Sequence, residues 1–588
     1  MKSRLEQLPN ELLWLILEYI PPIDLFRKFF NLNQRFNTIL RLIHYRFNIF
    51  YTNENQFNYY FNIILPNIVY NSIESLYIDD ITNRVYSINK CRHLRSLTIH
   101  HLHTENIDLL ANSILLELKH LNYLRLYTEF RLKNQDVNSL TNVIFSQQMP
   151  SLTYCYLGFQ DYSRLSFDHL DTKNKTLSLK TLVVDQWCRF SDFIRLLHFI
   201  PNIKRLTVRL FDSNTKGTIV PSFNAVDDFT TLVPHLIYFR AKLAEIPFAI
   251  ATKILFLRLP CNLRELSLST WSIEYANGDA WETVLSTKFS HLKHFRLIIS
   301  LDQIPHNYVT ASNLDLDNIV KSFNQSKYFL DHHWSVLINV NEHDRLKLVL
   351  HTVPYPIENF QTTLYDIRRC TSSPLTIKSA YRCVSKLSLA LHNDLASLLY
   401  DYNEHRYFPN VEQFILYSNL INDRREFQSV EYFKNLKNMV NLSSITLFNC
   451  PEESRQYPIQ LINLLLNNLP NLKSLVVPYR LYTCLKTQSI YYLKSLTLIF
   501  TIYSSISPPA TRMRHLLTAN QILTNELILE LVHTSLSSFS ELQTLTLIVR
   551  DLDGFDNQFS EWLKTNFSTK KNISYDLLII DKIVQFYF

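Results

Sequence analysis

Residues 94–99 read LRSLTI, and the same apolar spacing, LxxLxL, returns along almost the whole chain. It is IESLYI at 73–78, LNYLRL at 121–126, LKTLVV at 179–184, IKRLTV at 203–208, LRELSL at 263–268 and LKHFRL at 292–297. Later copies are VSKLSL at 384–389, VEQFIL at 411–416, LSSITL at 442–447, LKSLVV at 472–477, LKSLTL at 493–498 and LQTLTL at 542–547. LTYCYL at 152–157 and LIYFRA at 236–241 are degenerate copies. The alternation at the end of each copy is that of a short strand with one buried face. Many neighbouring copies begin 21 to 31 residues apart, a period at which each unit covers its neighbour's apolar strand. Between the strands, segments such as 135–145 and 459–469 have the length and period of helices. The expected fold is therefore α/β: one strand and one helix per unit, stacked into a curved solenoid with strands inside and helices outside.

This spacing resembles the leucine-rich repeat, at the long and irregular end of its range. The extended signature places Asn or Cys three residues after the last apolar position. Asn419 and Cys450 fit it, whereas Leu102, Trp187, Trp271 and Arg480 stand there in other copies. The register is hard to follow over 300–383, where HDRLKLVL at 343–350 has the look of a strand and an irregular unit or insertion is expected. Residues 508–536 read as mostly helical.

Composition narrows the chemistry. The 588 residues are 47% hydrophobic and 19% charged, enough apolar content for a large core and against wholesale disorder. Only 4 are Gly, where average usage gives roughly 40. Phosphate-cradling loops need Gly for close backbone approach, so neither a dinucleotide fingerprint nor a P-loop can be built. A net charge of +7 is mild for this length and does not by itself imply nucleic acid. The 8 cysteines stand singly without CxxC spacing, and are expected to be reduced and buried, as in an intracellular protein of cytoplasm or nucleus. The apolar run at 12–17 contains no cleavage site, and no stretch approaches the roughly 18 apolar residues of a membrane span. The hydrolase, metalloprotease and kinase motifs are missing. His332-His333 is adjacent rather than metal-spaced, and Gly554 falls too early in 551–556 for a calcium loop. No enzyme, metal or cofactor is expected.

The N-terminus has another texture. MKSRLEQLPNELLWLILEYIPPIDLFRKFFNLNQRF reads as the start of three short helices: from Pro9-Asn10 to before Pro21-Pro22, from about Ile23 to Asn31, and from about Gln34 to Phe50. Pro9 suits the first turn and Asn10 can cap it. Six apolar residues run from Leu12 to Leu17, more than one buried face requires, so the helix has a surplus apolar side. Leu13, Ile16 and Leu17 can meet the other helices, leaving Leu12, Leu15 and Ile20 in need of a cover. Either the repeats supply it in cis or a partner does.

In order, Leu8, Pro9, Glu11, Leu12, Ile16, Leu17, Ile20, Pro21, Leu25, Phe29 and Phe36 resemble an F-box, with Phe36 where the family usually carries Trp and Asn33 where a small residue or Cys is common. F-box followed by leucine-rich repeats is a familiar architecture, and the chain resembles a divergent member of the large invertebrate families that have it. The resemblance implies docking on the Skp-type adaptor of a cullin–RING ubiquitin ligase, through Leu8, Pro9, Leu12, Leu15, Ile16, Ile20, Pro21 and Leu25. It also implies a repeat domain that holds a protein substrate and a chain that does no bond chemistry itself. The organisation expected is an F-box over 1–50, a connecting segment over 51–70 and repeats over 71–588.

The variable positions of LxxLxL would line the inner face of such a solenoid. Here they include Arg95, Arg125, Lys180, Lys204, Arg205, Arg264, Lys293 and Arg296, with one acid, Glu265, among those copies. Aligned, they form a basic stripe suited to an acidic or phosphorylated segment. The same residues are also what an ordinary solvated strand face of a basic protein looks like. Two other functions remain beside the ligase subunit: an interaction scaffold without a ligase role, and a nucleic-acid binder using the same stripe.

Overall fold

The computed structural model describes residues 4–49, 59–80, 88–128, 132–159, 165, 167, 169–170, 175–211, 228–301, 315–341, 348–354, 359–363, 366–370, 381–391, 410–418, 441–448, 471–478, 493–501, 544–550, 576–580 and 583–587. The chain is mixed α/β and forms two compact units, 1–335 with 346–351, and 336–345 with 352–588.

In the first unit the repeated hexapeptides become a parallel sheet that follows chain order. Its strands are β1 (Tyr45–Asn48), β2 (Ile73–Asp80), β3 (Ser96–His101), β4 (Tyr123–Tyr127), β5 (Tyr154–Gly158), β6 (Thr181–Arg189), β7 (Arg205–Phe211), β8 (Tyr238–Ala244), β9 (Glu265–Thr270) and β10 (His294–Ser300). The register puts equivalent letters of each copy side by side. Leu97, Leu124, Cys155, Leu182, Leu206, Phe239 and Leu266 form one continuous row, and every one of them is buried. At about 1.5–3 kcal/mol for each large apolar side chain fully buried, such rows are the main reason the strands stack at all. The first Leu of each copy, for example Leu94, Leu121, Leu179 and Leu263, is buried too, just ahead of its strand.

Helices and short turns cover this buried side. From the helix Phe190–Phe199, the Phe193 ring lies 6.1 Å from Phe239 of β8. From the helix Gly278–Lys288, Trp281 lies 5.0 Å from Phe295 of β10. Asn277 caps that helix through the Ala280 N–H at 3.1 Å. Gly278 is there because the helix Leu316–Gln325 crosses at backbone contact: a methyl group on Gly278 would meet the Ser322 carbonyl carbon and the Phe323 nitrogen at 2.5 Å.

The parallel order breaks where the sequence register was lost. β11 (Ser335–Asn341) and β12 (Leu348–Val353) follow, and the strand foreseen in HDRLKLVL is β12, antiparallel to β10 with Ile298 opposite His351 and Ser300 opposite Val349. In the second unit β13 (Asn359–Thr363) and β14 (Asp366–Cys370) separate, β14 pairing antiparallel with β11. Parallel order then resumes through β13, β15 (Lys386–Leu391), β16 (Gln413–Ser418), β17 (Ser444–Phe448), β18 (Ser474–Pro478), β19 (Ser495–Thr501) and β20 (Thr544–Arg550). β21 (Asp576–Ile580) and β22 (Ile583–Tyr587) close that sheet antiparallel. Asn419, Cys450, Arg480, the helices expected over 459–469 and 508–536 and the turn at 551–556 lie outside the described residues.

The N-terminal helices are α1 (Asn10–Leu17), α2 (Pro22–Phe29) and α3 (Gln34–Leu42). The third ends well short of Phe50. Tyr45, Phe47 and Ile49 are buried on alternate positions, the first two within β1, which pairs in parallel with β2. Phe36, Ile39, Ile43 and Phe47 fit a helical spacing, while Ile43, Tyr45, Phe47 and Ile49 fit a strand equally well, and sheet pairing decides between them. The helical module is thereby welded to the sheet: Phe26 of α2 lies 6.1 Å from Tyr45, and Tyr45 stacks on Phe47 at 5.5 Å. Among the described residues no helix is long and apolar enough to cross a membrane.

One further expectation needs correction. Cys91, Cys155 and Cys188 are buried, and burial pushes the Cys91 thiol up to about 12, but Cys261 and Cys383 are exposed on turns. His332 stacks on Tyr328 at 4.1 Å and faces its carbonyl at 2.8 Å, so it is half-buried in a local contact, while His333 is exposed.

Candidate functional site

Two surfaces carry the residues that the sequence singled out. On α1, Leu13 and Leu17 are 0% exposed and point into the module. Leu12, Leu15, Ile16 and Tyr19 are 46%, 57%, 44% and 89% exposed. Positions 12, 15, 16 and 19 are spaced i, i+3, i+4, i+7, so they form one stripe along the outside of the helix and the turn after it. Leu8 and Ile20 are half-buried beside it, and Pro9 and Pro21 are exposed. Two assignments change. Ile16, 44% exposed, belongs to the outer stripe. Leu25 is buried inside the module and takes no part in the outer surface.

The segment leading into α1 is held from α3. Arg35 donates from Nε to Asn10 Oδ1 at 2.7 Å, from one terminal nitrogen to the Glu6 carbonyl at 2.6 Å and from the other to the Leu8 carbonyl. Asn33 caps α3 through the Phe36 N–H at 3.0 Å and donates its amide to Glu6 Oε1 at 2.9 Å. Asn10 is thus the first helical residue and not a cap. Its side chain is an acceptor for Arg35, a positioning role for Arg35 that the repeat and helix patterns gave no reason to expect.

The sheet of the first unit has an open face, formed by the residues that alternate with the buried rows. The eight basic positions do not form one stripe on it. Arg95, Lys180, Lys204, Arg264 and Lys293 are exposed in the row just before the strands begin. There the carbonyls of Arg95, Lys180, Lys204 and Arg264 each accept two N–H groups from the next strand. Asn122, Thr153 and Ile237 interrupt that row, so it carries Lys180 beside Lys204 and Arg264 beside Lys293, with Arg95 apart and 4.0 Å from Glu74. Arg205 stands one row further in, opposite Tyr238. Arg125 and Arg296 stand two rows beyond that, and Arg296 is paired with Glu265 at 3.3 Å. The grouping follows position in the hexapeptide: Arg95, Lys180, Lys204, Arg264 and Lys293 are second in their copies, Arg205 is third, and Arg125 and Arg296 are fifth, and the register sets equivalent positions side by side.

The residues the structure does bring together lie around β6. That strand bulges: Val184 is opposite Val208, but Arg209 is opposite Trp187. Asp185 and Trp187 therefore both face outward beside Arg209. Asp185 binds Arg209 at 2.5 Å and accepts the Tyr156 hydroxyl at 2.8 Å. Burial, and next the Asp185 charge and this bond, push the Tyr156 phenol well above its ordinary range. Lys242 Nζ lies over Trp187 at 5.6 Å and over Trp271 at 5.1 Å, with the two indoles edge to face at 5.5 Å. Arg125 lies over the Tyr156 ring at 4.6 Å and Arg205 over Tyr238 at 5.7 Å. Tyr123 and Tyr154 stack at 4.3 Å. Gly158 makes room for this layer, since a methyl group there would meet Tyr156 Cε1 at 2.6 Å. One sequence signal did point here. Trp187 and Trp271 are the large residues standing where the repeat signature asks for Asn or Cys.

Among the described residues no group of three His, Cys, Asp or Glu side chains is arranged to hold a metal. Two solvent-facing surfaces result, one an apolar helix face and the other an aromatic and basic sheet face. No family model matches the chain, and no curated protein matches it.

Proposed function

We propose that this chain is the substrate-recognition subunit of a cullin–RING ubiquitin ligase, an F-box protein whose helices dock on a Skp-type adaptor and whose leucine-rich repeats hold a protein substrate. The observation that carries the reading is α1: a helix of which Leu13 and Leu17 are buried while Leu12, Leu15, Ile16 and Tyr19 stand uncovered on the other side. Water-exposed apolar stripes of this kind mark protein interaction sites. The parallel sheet, in chain order with period-matched register, supports the repeat reading. β1 in register with β2 supports a rigid coupling between adaptor and substrate modules. In this role the chain works inside the cell and performs no bond chemistry. It raises the local concentration of a bound partner's lysines near a ubiquitin carrier.

The test is co-purification of the full chain with a Skp-type adaptor, comparing wild type with Leu15→Asp/Ile16→Asp. Both residues are exposed, so the variant is expected to fold as wild type does and to lose adaptor capture by about two orders of magnitude, as removal of central apolar anchors does. A wild-type chain that captures no such adaptor favours the scaffold reading instead.

A further inference from the structure

The open face around β4–β9 combines cations and aromatic rings in an unusual proportion. Arg125, Arg205, Arg240 and Lys242 stand on it, and Arg125, Arg205 and Lys242 lie over aromatic rings. A ring face attracts a cation without using up its N–H donors, and the Tyr156 ring holds the Arg125 guanidinium in this way. The acids of this region are committed, Asp185 to Arg209 and Tyr156, and Glu265 to Arg296. The surface is thus a set of prepositioned donors with positive charge in excess, walled by two indoles.

The spacing selects the ligand. Arg125 on β4 and Arg240 on β8 share one row, so four strand intervals of about 4.8 Å put them about 19 Å apart. That is the length of about six residues of extended chain. Arg205, Arg125 with Arg240, and Lys242 are spread over three rows, and Arg209, which meets Lys242 over Trp187, is already neutralised by Asp185. Spaced carboxylates match that distribution, whereas a phosphate group calls for two or three donors on one anion.

We propose that this face binds an extended acidic peptide of about six residues, running across β4–β9. Asp or Glu side chains meet Arg125, Arg240 and Lys242, and an apolar side chain seats against Trp187 and Trp271. It deepens the substrate-holding reading above by naming the class of segment held, and rests on that reading for its biological setting.

The test uses the immobilised full-length chain and a soluble peptide library, degenerate over Asp, Glu, Asn, Gln, Leu, Trp and phosphoserine, with retained peptides read by mass spectrometry. The retained pool is expected to favour Asp and Glu over Asn and Gln by about fivefold for each carboxylate met, the equivalent of a half-exposed ion pair. Arg125→Glu/Arg240→Glu should abolish that preference, Arg125→Gln/Arg240→Gln should weaken it, and Trp187→Ala should remove the preference for Leu and Trp while leaving the one for acids. Thermal melts of each variant establish that it is folded. The Leu15→Asp/Ile16→Asp chain should retain the same peptides as wild type, so failure of adaptor docking and failure of this proposal read out separately. An unchanged pool with the charge-reversed chain, a pool dominated by phosphoserine, or tighter retention of an RNA oligomer than of any peptide would overturn it.

Discussion

The outer face of α1 and the open face of the sheet are both presented to solvent, and they are opposites in construction. The first is four side chains within eight consecutive residues, apolar, and free of charge. The second is drawn from strands spread over more than 140 residues and is a mesh of rings, cations and two carboxylates, Asp185 and Glu265. Binding at the first is driven by removal of water and depends little on salt. Binding at the second is screened, with a Debye length of about 10 Å at 0.1 M ionic strength. A receptor that keeps a constant partner on one face and a variable one on the other gains from this division. In the proposed role the constant contact would be salt-independent and compact, and the variable one would be read through spaced charges that single substitutions retune.

The largest effect separates the two sides of α1. Leu13 is fully buried, and Leu13→Ala should cost about 2–5 kcal/mol of stability. Leu15→Ala should move stability by less than about 0.5 kcal/mol while weakening adaptor capture. Urea midpoints and adaptor pull-downs on the same preparations give both numbers. Equal destabilisation by the two changes would mean that the helix has no separate outer face, and the comparison with the sheet would collapse.

Next comes Gly158. A methyl group at this position meets Tyr156 Cε1 at 2.6 Å, its hydroxyl at 2.9 Å and Tyr127 at 3.0 Å. The clash is with side chains, so the ring can turn away at the cost of its bond to Asp185. Gly158→Ala should therefore lose about 1–3 kcal/mol, and Asp185→Asn added to it should cost less than it does alone. Thermal denaturation of the four chains closes that cycle. Strict additivity would show that the Tyr156–Asp185 contact does not organise the sheet face.

A third, smaller contrast is ionic strength. Raising salt from about 0.05 to 0.5 M should weaken retention of acidic peptides by roughly tenfold and leave adaptor capture within about twofold, measured by fluorescence polarisation and pull-down. Parallel losses at both faces would erase the distinction drawn between them.

These contrasts also explain what could be read directly from the residues. Strand positions and their parallel stacking follow from the hexapeptide alone, because Leu94, Leu97 and Ile99 sit at spacings that only one buried face satisfies. The surplus side of α1 follows from an apolar run too long for one face. The partition of the cations is written in the hexapeptide too: Arg95 stands second in its copy and precedes its strand, whereas Arg125 stands fifth and lies well inside one. Local irregularities are not. The β6 bulge that sets Asp185 beside Trp187 depends on how two neighbouring strands pair, and the Arg35 clamp depends on carbonyls that no side-chain pattern encodes. Local period dictates which residues are buried. Grouping on a surface comes from register between segments far apart in the chain.

The finest probe of the sheet face is its alkaline limb. Tyr154 stacks on Tyr123 beside Arg125, and its phenol is pushed up to about 12, first by burial and then by the neighbouring Tyr123 and their hydrogen bond, with Arg125 pulling the other way. Its ordinary value is 10.0. Below pH 10 the folded and unfolded chains both keep the proton, and the contribution to stability is complete. Between pH 10 and 12 the unfolded chain ionises first, so stability is lost as pH rises through that window. Tyr154→Phe should flatten this part of the loss, leaving the shares of Cys91 and of the other groups that burial raises, Cys155, Cys188, Tyr45, Tyr156 and Tyr275. Urea midpoints from pH 9 to 11.5, roughly the span of the two ordinary values and the raised ones, measure the slope. Arg125→Gln should steepen it, because removing that cation raises the folded value further. A slope indifferent to Arg125 would mean that the guanidinium does not share the field of the stacked tyrosines, and the sheet face would then be a set of separate contacts and not one surface.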